Sequence, residues 1–374
     1  MLAIEKYIKK HGLDKAISNF KLKTREYDHK ILLKYDQLVC PTLMGLPEMK
    51  DCRGLILEKN TFKVMSLAFK KFFNLGESNA DKIDMDTACV LEKLDGTLIQ
   101  LYWDWVDGKW YAGTTGTANG EGNVNNKLGR TFNDLFFDTI KKYPSFDINL
   151  LDREYCFVFE LTTPYNIVVK PHSESSVTLL TVRNLETLKE MPRKKVVALG
   201  GFLKIPVVKS YDLNSKETSD ILKTFEDMPW TEEGYVMVDA KFNRVKIKNP
   251  AYLAMHYLKG KTAEHNILTI IKANEIEEFI ATFAERKEEI YQLKENYDKL
   301  ISNLNLIWDE LKQYKLNDMN KEDKKNYAVK VFEICNKHNL KEFSNLYFYL
   351  IDNKVSSVEE YILNYDDKKL YKIL

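Results

Sequence analysis

All 15 glycines and all 9 prolines of this 374-residue chain lie at or before Gly260, and the 114 residues beyond have neither. Glycine and proline punctuate turns and break helices, so a stretch this long without them predicts an almost wholly helical segment. Apolar spacing agrees: Ile276, Phe279, Ile280 and Phe283, then Ile301, Leu304 and Trp308, recur at helical intervals. Ser356–Glu359 has the form of a capping box and predicts the start of a last short helix. The tail carries 18 basic and 21 acidic residues, a balance of −3, which leaves 38 against 34, or +4, for the front part. The tail is therefore no polybasic nucleic-acid clamp, and its apolar stripe is expected to form its own core.

The first 260 residues read as mixed α and β. Short helices are predicted at about 2–20, 127–142 and 215–226. In TLIQLYWDWVDGKWYAGTT, Asp107-Gly108 sits between two aromatic-rich runs, a hairpin signal. The runs EYCFVFELT, VTLLTVRN, GYVMVDA and NRVKIKN also predict strands. The expected fold is α+β: an antiparallel-sheet domain over 1–260 with helices outside its sheets, then an all-helical domain over 261–374. The whole chain has a net charge of +1, so contact with nucleic acid must come from a local basic surface. No run of about 18 apolar residues predicts a membrane span, and the charged N-terminus does not resemble a secretory signal. Five scattered cysteines without a CxxC predict neither a disulfide framework nor a zinc site, and a reducing cytoplasm fits them best.

The common phosphate loops are missing. No GxxxxGK[ST] occurs, and Gly120-Glu121-Gly122 is followed by Asn125 where a dinucleotide fingerprint needs its third glycine. LEKLDGTLIQ is more informative: Lys93 follows an apolar run and precedes Asp95-Gly96 and a second strand-like run. That places an amine at a strand end, beside a glycine that lets backbone approach closely. K-x-D-G alone would occur by chance in about one chain of this length in ten, and then reads as a hairpin turn. Its company changes the reading. Arg53-Gly54 and Lys71-Phe72-Phe73-Asn74 lie upstream; Glu160 in FVFELTTPYN, Glu233-Gly234-Tyr235 and VKIKN lie downstream. Lys246 and Lys248 share one strand face while Val245 and Ile247 take the other. Each charged residue alone reads as surface or strand-face polarity, except Glu160, since a carboxylate among apolar neighbours needs a partner.

The ordered set R-G, K-F-F-N, K-x-D-G, F-E, E-G-Y and K-x-K resembles the covalent nucleotidyltransferases, and CRGLIL, KFFNLGE, EKLDGT, FELTTPYN, EGYVMV and KIKNPAYLAMH resemble the bacteriophage RNA ligase 1 family over about residues 30–260. The resemblance implies an ATP-dependent enzyme that joins RNA 5′-phosphate and 3′-hydroxyl ends through a lysyl-AMP intermediate and an RNA-adenylate. Lys93 is then the nucleophile, with Lys246 and Lys248 at the α-phosphate. Arg53 is matched to the ribose–phosphate region, Lys71 to the outer phosphates and Glu160 to the ribose. Glu233 is matched to a divalent metal, Mg²⁺, Gly96 and Gly234 to close approach, and Tyr35 to the base. A free lysine is protonated near neutrality, and the cations Arg53, Lys71, Lys246 and Lys248 are expected to favour its neutral form. The resemblance also implies repair of broken RNA, tRNA included, by a monomer in the cytoplasm of a phage-infected host, with no membrane partner.

Two features depart from the family. A basic residue often found after the nucleophile is replaced here in AGTTGTAN by Thr114 and Thr115, and the family's Asn-Arg appears as Asn166-Ile167. Three functions remain open to the sequence: an RNA ligase, a ligase or nucleotidyltransferase acting on DNA or RNA 5′ ends, and an inactive RNA-binding relative. The helical tail, standing where DNA ligases and capping enzymes carry a β-barrel, and the intact set of charged residues both favour the first.

Overall fold

The computed structural model describes residues 1–37, 39–124, 129–211, 218–258, 266–282, 284–314 and 321–374. The chain divides into two compact units, residues 1–259 and 260–374. The front unit holds thirteen strands among the described residues: β1 Leu22–Glu26, β2 Lys30–Tyr35, β3 Arg53–Glu58, β4 Val64–Ser66, β5 Phe73–Asn74, β6 Cys89–Glu92, β7 Thr97–Asp104, β8 Lys109–Thr114, β9 Tyr155–Thr162, β10 Ser176–Asn184, β11 Ser210–Tyr211, β12 Gly234–Val238 and β13 Arg244–Lys248. They form three sheets, ordered β1-β2-β3-β4, β10-β9-β7-β8 and β11-β6-β12-β13-β5. Pairing is antiparallel except between β13 and β5, where Lys246 stands opposite Asn74 in a parallel pair.

The sequence pattern explains the layers. The hairpin read from Asp107-Gly108 is the β7–β8 turn, closed by Asp104 opposite Lys109. Strands β7 and β9 are buried on nearly every residue, as strands are when helices cover their open face. Phe132–Ile140 and Arg193–Leu203 supply that cover, packing Leu135, Phe136 and Val196 into one cluster with Phe159 and Val182. Thr131 caps the first of these helices: its hydroxyl accepts from the Asp134 N–H at 3.1 Å, and the Asp134 carboxylate accepts from the Thr131 N–H. The helix predicted over 2–20 is two helices, Ala3–His11 and Leu13–Phe20. Gly12, at φ 89°, breaks them apart in a conformation that favours glycine. Of the helix expected at 215–226, Thr218–Lys223 is helical, and the chain turns at residues 224–226. Leu128, Phe283 and residues 215–217 lie outside the described residues.

The second unit is helical throughout its described elements, the longest being Lys287–Leu311 and Lys321–Lys337. The buried stripe of Lys287–Leu311 runs through Tyr297, Leu300, Leu304, Ile307 and Leu311; it includes the expected Leu304, while Leu300 and Ile307 are buried in place of the half-buried Ile301 and Trp308. The expected cap lies one residue further along. Ser357 caps Val358–Leu363 by accepting from the Glu360 N–H at 3.1 Å, and the Glu360 carboxylate reaches back to the Ser356 N–H at 2.7 Å. Ser356–Glu359 and Ser357–Glu360 have the same sequence form; burial of Val358 and Ile362 selects the second. A further helix, Asp367–Tyr371, follows. No helix among the described residues is long and apolar enough to cross a membrane.

Candidate active site

Three strand ends meet at one point of the third sheet. Strand β12 pairs with β6 on one side and β13 on the other. The Lys93 N–H, just past β6, donates to the Gly234 carbonyl at 2.9 Å, and the Asn249 N–H, just past β13, donates to the Glu233 carbonyl at 2.9 Å. The backbone thus fixes Lys93, Glu233 and Lys248 relative to one another before any side-chain contact. Gly234 makes this crossing possible: it has φ 125°, and a Cβ there would lie 2.2 Å from the Ile247 carbonyl oxygen. The Lys93 ammonium then lies 2.5 Å from Glu233 Oε1, and the Lys248 ammonium 3.9 Å from the same oxygen. Glu233 is buried at 7% exposure, while both lysines keep some access to solvent.

The second sheet supplies the opposite wall. Glu160 stands on β9 opposite Leu98 of β7. Gly96 lets the chain between β6 and β7 pass over it, since a Cβ at that residue would lie 2.6 Å from the Leu161 carbonyl oxygen and 3.1 Å from Glu160 Cγ. A cavity of about 380 Å³ opens between these walls, lined by Arg53, Lys93, Gly96, Glu160, Glu233 and Lys248, with Leu91, Leu180, Val208 and Val236 on an apolar side. Arg53 stacks on Phe69 and Phe72, with its guanidinium carbon 5.1 and 5.7 Å from their ring centroids. Its Nη1 is buried with no hydrogen-bond partner. A buried guanidinium N–H without an acceptor costs free energy, and an anionic ligand in this cavity would satisfy it.

Lys71, Lys246 and Tyr35 do not line the cavity; they gather into a group of their own. The Lys71 ammonium sits 4.7 Å from the Tyr35 ring centroid and 5.0 Å from that of Phe73. Burial pushes the Tyr35 phenol up, but Lys71, Arg53 and Lys246 outweigh it and leave the phenol below its ordinary value. Tyr35 therefore stands among cations. Lys246 and Lys248 share the less buried face of β13, while Val245 and Ile247 are buried, as the alternation requires.

Burial pushes the Glu160 carboxyl up to about 8; Glu233 and Asp95 add to the rise, and Lys93 and Arg53 oppose it. An acid whose folded pKa lies above its unfolded value favours folding below the unfolded pKa, and that contribution is lost as pH rises through the folded one. Glu160→Gln, which cannot ionise, is thus expected to raise Tm relative to wild type at pH 9 and to change it little near pH 4.5. Parallel melting curves across this range check it; a gap that does not grow with pH contradicts it.

Asp95 contributes more than its place in K-x-D-G suggested. Its buried carboxylate accepts the Val169 and Lys170 N–H groups at 2.9 and 2.6 Å, and the Tyr252 phenol, whose pKa burial drives far up, hydrogen-bonds to it as well. Tyr252, on helix Pro250–Leu258, and Thr115 also line the cavity, and sequence reasoning assigned neither a role. Tyr252 lies within the quoted KIKNPAYLAMH, but only tertiary packing brings it to Asp95. Thr115 occupies the region where the family's basic residue is replaced.

Glu233 is one of several carboxylates in the cavity lining, and a buried carboxylate there is a hard oxygen donor of the kind that suits a divalent cation. Such an ion would screen a ligand's negative charge from the surrounding carboxylates. Together the fold and site bring a lysine amine, two further cations and a buried carboxylate to one cavity suited to an anionic ligand. Residues 51–252, more than half of the chain, match the family model described as RNA ligase, of the T4 ligase 1 type, and the chain belongs to that family. It is thus an RNA ligase, the first of the three functions left open by the sequence. The RNA ligase of Rhodothermus phage RM378 is 29% identical over 349 residues, an overlap of 76% of this chain and 79% of that protein. An archaeal ATP-dependent RNA ligase of solved structure shares 11% identity at a TM-score of 0.47, covering 89% of this chain and 90% of that one.

Proposed function

We propose that this RNA ligase is ATP-dependent and works through AMP bound covalently to Lys93. The observation that carries the reading is the Lys93 ammonium, held 2.5 Å from a buried Glu233 and facing a cavity that Arg53 and Lys248 also line. Glu233 lies within reach to take a proton from the amine, which must give one up before it can attack. The neutral nitrogen attacks the α-phosphate of ATP; a P–N bond forms, the bond to the bridging oxygen breaks, and pyrophosphate leaves. Arg53 and Lys248 stabilise charge developing on the α-phosphate, and Lys71 and Lys246 extend the cationic field toward the departing phosphates. Glu160 accepts from a ribose hydroxyl when ionised. AMP then passes to an RNA 5′-phosphate, and a 3′-hydroxyl displaces it to seal the strand. Glu233 is the residue to hold the metal, for which Mg²⁺ is the proposed ion.

The front unit, 1–259, is the adenylyltransferase part of this scheme, and broken tRNA is the proposed natural substrate. Incubating single-stranded RNA bearing a 5′-phosphate and a 3′-hydroxyl with the full chain tests the reaction. Joined product is expected with ATP and Mg²⁺ together and not when either is left out. Joining without ATP would overturn the reading.

A further inference from the structure

The connection between β9 and β10 runs through residues 163–175. Neighbouring antiparallel strands are usually joined by two to five residues, and a connection this long is commonly functional. This one is tied down rather than loose. Asp95 takes its Val169 and Lys170 N–H groups at 2.9 and 2.6 Å, and His172 Nε2 lies 2.9 Å from the Asp95 carbonyl oxygen. Asn166 donates to the Thr97 hydroxyl at 2.9 Å, and the Thr163 and Ser175 hydroxyls close the base of the loop at 2.9 Å. The ties of Asn166, Val169, Lys170 and His172 run to residues 95–97, two to four places after Lys93, while Lys142 holds the far end through Glu174 and the Ser175 carbonyl.

Having fixed the loop, the fold leaves its apolar side chains in water. Tyr165, Ile167 and Val168 are 44, 48 and 38% exposed, while Val169 between the anchored groups is buried. One exposed apolar residue needs no explanation, but three within four positions of a pinned loop form a built surface. Val168 also lines the catalytic cavity, so this surface is continuous with the site, and Lys170 lies two residues further along the chain. An aromatic ring with aliphatic neighbours and a nearby cation is the chemistry that receives single-stranded nucleic acid: bases stack on the apolar part and phosphates meet the charge.

We infer that this loop is the platform for the terminal nucleotide of the RNA strand, with the base against Tyr165 and Ile167 and the backbone toward Lys170. The inference rests on the proposed reaction, since it places the RNA end beside the adenylylated lysine. Asp95 joins the two functions: one carboxylate holds the loop, and its backbone carries the turn that follows the nucleophile.

The experiment separates the steps. Tyr165→Ala, Tyr165→Phe and Ile167→Ser are compared with wild type in self-adenylylation, in AMP transfer to a 5′-phosphorylated RNA, and in sealing of pre-adenylylated RNA. Tyr165→Ala is expected to label at the wild-type rate yet to lose about tenfold or more in at least one RNA step, the order measured for loss of one base–aromatic stack. Tyr165→Phe keeps the ring and is expected to restore that step, and Ile167→Ser to weaken it. The step affected tells whether the platform holds the 5′-phosphate end or the 3′-hydroxyl end. Wild-type rates in both RNA steps for Tyr165→Ala would overturn the inference while leaving the proposed reaction intact. An equal fall in self-adenylylation would overturn it too, as a sign of general damage. Absence of label on wild type itself would instead refute the reaction.

Discussion

Lys93→Ala is expected to lose covalent attachment of AMP altogether and, with it, sealing of 5′-phosphorylated RNA. Removing a covalent nucleophile commonly costs more than about 10³-fold in rate, because no neighbouring group can take over bond formation. No neighbour among the described residues is placed to do so: Lys248 lies 3.9 Å from Glu233 against 2.5 Å for Lys93, and it sits on a different strand end. Lys93→Arg keeps the charge but has no readily deprotonated nitrogen, so it is expected to fail equally. Sealing of RNA supplied already adenylylated skips the missing step and is expected to survive in Lys93→Ala to a measurable extent. Gel separation of the labelled adduct and of the joined RNA gives both readings from one preparation.

Glu233→Ala is the second large effect. Its carboxylate is buried beside two ammonium groups and is the residue proposed to hold the divalent cation. Removing it leaves Lys93 and Lys248 without their shared counter-charge and lets the Lys93 amine leave its aimed position. A fall of at least about 10²-fold in adenylylation is expected, the order seen when a preorganised electrostatic contact is lost from a transition state. Both lysines keep some solvent, so the loss of stability is expected to be modest, roughly 1–3 kcal/mol rather than the full cost of breaking a fully buried pair. Glu233→Gln keeps the shape without the charge and is expected to fall nearly as far. A Gln variant with wild-type adenylylation would show that shape, not charge, is what Glu233 supplies.

The sequence was most legible where chemistry and local period coincide. Lys246 and Lys248 could be placed on one strand face because side chains alternate, and β13 buries Val245 and Ile247 accordingly. Asp107-Gly108 marked a hairpin because its turn residues suit the strand twist, and the lack of glycine and proline after Gly260 marked the helical unit. What stayed hidden depends on contacts between distant parts of the chain. Two of the partners of Asp95 are backbone groups 74 and 75 residues away, which no local pattern records. Tyr35 and Lys71 meet only because β2 and the segment before β5 fold side by side, so matching Tyr35 by motif said nothing of the cations around its phenol. The capping box after Ser356 shows the same limit at close range. Two overlapping matches were equal in sequence, and burial of Val358 and Ile362 decided between them.

The central claim is that one amine, Lys93, carries the nucleotide. Digesting the wild-type enzyme after incubation with ATP and a divalent cation, and mapping the peptide that gains AMP by mass spectrometry, addresses it most directly. The expected result is a single acid-labile AMP on the peptide containing Glu92-Lys93-Leu94. An adduct on any other residue, Lys248 included, would contradict it.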